Sequence, residues 1–167
     1  SLAAVAKAAG VPAGGVFYHF PSKADLADAV MAHHDAYFAD SLTRIEATTE
    51  DPRQRLRLFW DGAETLAQAR AEHGCPVLAL AGDMAADPTR STPDQQQRAL
   101  VMRNTISWLS WQYAALGLDD NAAQLTAAAL FAAMQGAFAV GRVLGDADLI
   151  RQLFDETRKQ QQKAGYL

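Results

Sequence analysis

The run Ser1-Leu-Ala-Ala-Val-Ala-Lys-Ala-Ala-Gly10-Val-Pro-Ala-Gly-Gly-Val-Phe-Tyr-His-Phe20-Pro-Ser-Lys-Ala-Asp-Leu26 opens the chain and lays out three helices in quick succession. Ser1 is placed to cap the first, since its hydroxyl can accept a hydrogen bond from an amide of the opening turn. Leu2, Val5, Ala6 and Ala9 then recur at helical spacing. Gly10 closes the helix by supplying a left-handed residue, and Val11 and Pro12 make the turn. Pro12 is pre-set for the first position of a second helix over about Ala13 to His19. Phe20-Pro21 ends that helix, and Ser22 caps a third running through Leu26, Val30, His33 and Tyr37. Two short helices about a glycine turn have the outline of a helix-turn-helix, which offers its second helix to the major groove of DNA. An ordinary αα corner has the same outline.

Downstream the helices lengthen. Asp51-Pro52 predicts a cap followed by proline at the first helical position. One helix is expected from there to Gly74, with Leu56, Phe59, Trp60, Ala63, Leu66 and Ala67 on a face. A short apolar helix follows to about Ala86, and Asp87 to Asp94 reads as a polar surface loop. Thr92-Pro93 starts a helix with a stripe of Met102, Ile106, Leu109, Tyr113 and Leu116, closed by Gly117. Asp119 or Asp120 caps the next, which runs to Gly145. Asp146 caps the last, with Leu149, Ile150, Leu153 and Phe154 as its apolar face and a polar tail from Gln160 to Lys163. The fold class is all-α: an N-terminal helix-turn-helix module and a larger helical domain.

Bulk properties narrow the rest. The chain has 167 residues, half of them hydrophobic and a fifth charged, enough for one sizeable core. A net charge of −4 does not exclude DNA, which needs only a local basic surface. One cysteine rules out an internal disulfide framework and fits a reducing cytoplasm. The longest apolar stretch, Leu125 to Leu144, is interrupted by Gln135, Gly136, Gly141 and Arg142, so no membrane span is expected, and no signal peptide is visible.

The opening run closely resembles the DNA-binding signature of the tetracycline-repressor (TetR) family. That signature has an alanine-rich helix, then Ala9-Gly10-Val11, a pair of small residues, Phe17-Tyr18-His19-Phe20, and Ser22-Lys23 with Leu26. The match in type, order and spacing covers about 26 positions, far more specific than a short motif. The resemblance implies a further helix and basic arm ahead of Ser1, and it implies roles for residues here. Ser1 would hold a phosphate, and Pro12, Ala13, Gly14 and Gly15 would lie nearest the bases. Tyr18, His19 and Lys23 would contact phosphates, while Val5, Ala6, Val16, Phe20 and Leu26 would form the module's core. Two positions depart from the family: Phe17 stands where a tyrosine is common, and Gly15 where a hydroxyl or amide side chain is usual. Both remove a polar contact, which shifts specificity toward backbone contacts and DNA shape. Over residues 1–34 two lysines balance two aspartates, so this stretch is locally neutral.

The same resemblance implies a division into residues 1–45, the partial DNA-binding module with its connecting helix, and residues 46–167, a ligand-binding and dimerisation domain. The function implied is a cytoplasmic, ligand-responsive regulator, a repressor that binds a palindromic double-stranded DNA operator as a homodimer and is released by a small, largely apolar molecule. Trp60, Met84, Met102, Trp108, Trp111, Tyr113, Phe131 and Met134 are candidates for the ligand pocket, although such side chains at helical spacing also serve as plain core. Leu125, Ala129, Ala132, Gly136, Val140 and Val143 give the penultimate helix a face of small or branched residues suited to a dimer interface, with Leu149 and Leu153 beside it. Cys75, near His73, is a candidate thiol sensor. No cofactor, no metal site and no paired nucleophile and base are expected, which argues against an enzyme. The rival reading is an all-helical small-molecule-binding or dimerisation protein that never touches DNA.

Overall fold

Local chemistry at the helix ends sets the outline of the protein. The computed structural model describes residues 1–85 and 92–167, with the backbone alone over 92–98, so the expected loop lies largely outside the described residues. Among the described residues there are nine helices and no strand: α1 (Leu2–Ala9), α2 (Ala13–His19), α3 (Lys23–Thr48), α4 (Pro52–Glu64), α5 (Ala67–His73), α6 (Pro76–Ala85), α7 (Thr92–Ala115), α8 (Asp120–Leu144) and α9 (Ala147–Lys163).

The caps follow the sequence closely. Ser1 Oγ accepts from the Ala4 amide at 3.2 Å, and Gly10 closes α1 in the left-handed region at φ 67°. Ser22 and Asp25 form a reciprocal capping box at the start of α3, with Asp51, Asp119 and Asp146 capping α4, α8 and α9. Pro12 sits one place earlier than expected, as the N-cap of α2 in extended conformation. The third helix passes Ile45 and ends at Thr48.

The helix expected from Asp51 to Gly74 is broken at Thr65 and Leu66. The Thr65 hydroxyl donates to the Gly62 carbonyl at 2.7 Å, and the Leu66 amide reaches back only to Ala63. A side chain competing for a helical carbonyl tightens the turn and lets the chain change direction, so α4 and α5 become separate elements.

The main core gathers around α8. Its buried residues Ala123, Ala127, Leu130, Phe131, Met134, Ala137, Phe138 and Gly141 repeat at helical spacing and meet α5, α7 and α9. Trp60 stacks on Phe154 with ring centroids 4.3 Å apart, and its indole donates to the Phe154 carbonyl at 3.3 Å. Gly141 permits the crossing of α8 and α9: a Cβ there would collide with Ile150 Cγ1 and Cδ1 and lie 3.0 Å from the Asp146 carbonyl oxygen. A smaller cluster of Met31, Val77, Met84 and Val101 ties α3 to α6 and α7.

Three expectations need correction. Val5, placed in the core of the first module, is 43% exposed, because two short helices bury only Leu2 and Ala6 between them. The residues 160–163 continue α9, and the chain beyond returns to the core, where Tyr166 meets the Tyr113 ring edge-on and Gln161 accepts from the Tyr113 hydroxyl at 2.7 Å. Finally, by length and composition alone α8 could cross a membrane, despite those interruptions. The interruptions are too few to offset its alanines and leucines, and the helix serves here as the centre of the core.

Candidate functional site

The first site is the surface of α1, α2 and the start of α3. Ser1, Pro12, Ala13, Gly14, Gly15, Tyr18, His19 and Lys23 are all exposed, with Tyr18 at 82%. A Cβ at Gly14 or Gly15 would meet nothing within 4 Å, so packing within the chain does not require glycine there. The bare backbone instead leaves the leading edge of α2 open to close approach. The Tyr18 ring meets His19 edge-on at 5.1 Å, which places a phenol and an imidazole side by side at the end of α2. Lys23 begins α3, directly after the Ser22 cap.

The second site is a cavity of about 530 Å³ in the helical body, open to solvent along one side, where Tyr37 is 55% exposed. One wall is the lower half of α3, with His33, His34, Tyr37, Phe38, Ser41, Leu42 and Ile45. Leu58, Phe59, Gly62 and Ala63 of α4 face it, and the α4–α5 break adds Thr65 and Leu66. Arg70, Cys75 and Pro76 close one side, and Met134, Gln135 and Phe138 of α8 form the base. Burial, then the neighbouring His33, then Arg70, holds the His34 imidazole below its ordinary pKa.

Of the eight aromatic and methionine residues singled out for a pocket, Met134 lines this cavity. Trp60, Trp108, Tyr113 and Phe131 are buried in the main core, with Met102 packed against it. The Trp108 indole donates to Glu46 Oε1 at 2.9 Å, and burial followed by the nearby Tyr166 raises the Tyr113 pKa. Met84 belongs to the smaller cluster. Trp111 is 67% exposed on α7. The α3 residues were missed because a helix that begins in a DNA-binding module reads as a connector. Its crowding of His33, His34, Tyr37 and Phe38 within two turns was the available signal.

Cys75 is a free, half-buried thiol on the cavity wall, while His73 faces Glu72 at 3.6 Å and is largely exposed. Among the described residues no three His, Cys, Asp or Glu side chains group as a metal ion would require.

A third surface runs along the outside of α8 and α9. Leu125, Ala129, Ala132, Gly136, Val140 and Val143 are exposed, Val143 at 85%. On α9, Ile150 and Phe154 turn into the core while Leu153 is exposed and Leu149 half-buried, so the apolar face expected for this helix divides between inside and outside.

A helix-turn-helix outline joined through one long helix to an all-helical body with an open cavity is an arrangement that comparison with known proteins places among transcriptional regulators. Residues 1–30 match the family model of bacterial regulatory proteins, tetR family. A TetR transcriptional regulator from Legionella pneumophila is similar at 25% identity, over 94% of this chain and 85% of that one, with a TM-score of 0.74. Regulatory protein TetR from Rhodobacter sphaeroides is similar at 25% identity over 93% and 85%, with a TM-score of 0.75. A TetR-family transcriptional regulator from Agrobacterium tumefaciens, at 22% identity over 96% and 85%, shares the fold with a TM-score of 0.77. No curated protein matches the sequence. The N-terminal segment is thus similar to that of bacterial regulatory proteins of the tetR family, and the chain as a whole has the fold of TetR-family transcriptional regulators.

Proposed function

We propose that this regulator is a cytoplasmic repressor that binds a palindromic operator as a homodimer and is released by a small molecule held in the cavity. One observation carries the reading: α3 begins with Lys23, directly after the helix-turn-helix, and supplies seven residues to the cavity wall farther along. A ligand pressing on His34, Tyr37 or Phe38 acts on the same helix that follows α2 directly in the chain. Coupling then follows if the ligand binds one orientation of α3 better than the other. The exposed apolar stripe of α8 supports the dimer, since a face of small and branched residues permits close helix approach, and two reading heads must be held about one DNA turn apart.

The test is selection from a random-sequence DNA pool by the full-length protein at moderate salt, with sequencing of the retained fraction. A palindromic consensus is the expected result. Absence of enrichment from protein shown to be a folded dimer would leave a ligand-binding protein that does not read DNA.

A further inference from the structure

The permanent charge lining the cavity, Arg70, is positive and has no acidic counterpart there. His33, His34 and Arg70 face the cavity, and among the described residues no aspartate or glutamate does. Arg70 is half-buried and has no carboxylate partner among the described residues: its Nη1 donates to the Gly74 carbonyl at 3.2 Å, its guanidinium carbon lies 5.7 Å from the centre of the Phe138 ring, and its buried Nε has no hydrogen-bond partner among them. The protein treats another half-buried guanidinium differently. Arg158 of α9 is held by Asp61 and Glu64 of α4, each at 2.6 Å, which engages those two acids on Arg158. An unneutralised guanidinium beside an apolar cavity is costly unless something anionic enters, because a charge out of water needs a counter-charge and filled hydrogen bonds.

We propose that the cavity selects an amphipathic anion: a small organic acid whose carboxylate meets Arg70 and whose apolar body lies along Phe38, Phe59 and Met134. This rests on the reading of the cavity as the effector site and names the chemical class it takes. Gln135 is the other lining residue with a partnerless buried polar atom, Oε1. An amide can offer its oxygen or, turned over, its NH₂ group to a bound head. After burial, like-charge neighbours hold the His34 pKa down, and an anion in the cavity would offset them.

The experiment uses Nile red, an uncharged dye, as the probe of the cavity, and matched pairs of competitors: 2-naphthoate with 2-naphthamide, and octanoate with octanamide. Nile red fluorescence should rise on binding, and each carboxylate should displace the dye at least about tenfold more effectively than its amide, a difference of roughly 1.4 kcal/mol. Arg70→Gln should abolish that preference, while Arg70→Lys, which keeps the charge, should retain most of it. Dye that binds but is displaced equally by acids and amides would overturn the anion while leaving the cavity as an effector site. A preference undiminished in Arg70→Gln would overturn the role of Arg70. Dye that fails to enter would remove the effector site itself, and the inference with it.

Discussion

Replacing Gly141 with alanine should destabilise the protein, against the intrinsic preference of a helix for alanine. Propensity alone favours Gly→Ala within a helix by about 0.5–1 kcal/mol. At Gly141 the new methyl meets Ile150 Cγ1 and Cδ1 and the backbone oxygen of Asp146, and neither side is free. Ile150 is fully buried, and Asp146 caps α9 through a 2.8 Å bond from the Leu149 amide. Overpacking of this kind costs about 1–3 kcal/mol. With several close contacts the overpacking lies toward the upper end of that range, and the net expectation is a loss of about 1–2.5 kcal/mol, read by urea unfolding as a lower midpoint with an unchanged slope. Gly82→Ala on α6 is the control: a Cβ there meets nothing within 4 Å, so propensity alone operates and stability should rise by about 0.5–1 kcal/mol. A second handle is the double variant Gly141→Ala with Ile150→Val, which removes the colliding Cδ1 and should recover part of the loss, giving a coupling energy of opposite sign to the single changes. If Gly141→Ala were as stable as the parent, the close crossing of α8 and α9 would be wrong.

Three further outcomes follow from the same structure. Lys23→Ala should weaken binding to all DNA sequences alike and flatten the dependence of affinity on salt by about one counterion, checked by titrations at several salt concentrations. Val140→Lys puts a charge on the exposed stripe of α8 and should shift the protein toward monomer in sedimentation without lowering the unfolding midpoint of the monomer. His34 has a folded-state pKa below the unfolded value of about 6.5, so the unfolded chain binds more protons between the two. The stability this imidazole contributes is present above about pH 6.5 and is lost as the pH falls through that value toward the folded pKa. His34→Gln should therefore flatten the stability profile over that interval, measured by unfolding at stepped pH.

The opening module was legible because its instructions are local. Ser1, Gly10, Ser22 and Asp25 act on backbone groups within a few residues, and the structure finds each in its capping place. The α4–α5 break was not legible, because Thr65 is an unremarkable residue in a helical pattern. Its hydroxyl competes for a carbonyl only in one rotamer, which the sequence does not specify. The cavity was misplaced for a related reason. Trp60, Trp108, Tyr113 and Phe131 have the chemistry of a pocket, yet large rings fill space best where elements converge, and they converge around α8. A cavity forms where packing is incomplete, beside the broken turn and the polar side of α3. Residue type predicts what fills a core more readily than where the core fails to close.

The burial of two of its three tryptophans gives the protein its own optical reporters. Trp60 and Trp108 lie in the dry interior, and the Trp108 ring sits 6.0 Å from Phe59, a residue of the cavity wall. Trp111 stands in solvent one turn along from Trp108. Its emission will be red-shifted and open to quenching by iodide, while that of the other two will be blue-shifted and shielded. With Trp111 changed to phenylalanine, the remaining fluorescence reports from beside the cavity, so arrival of an effector can be followed in unlabelled protein.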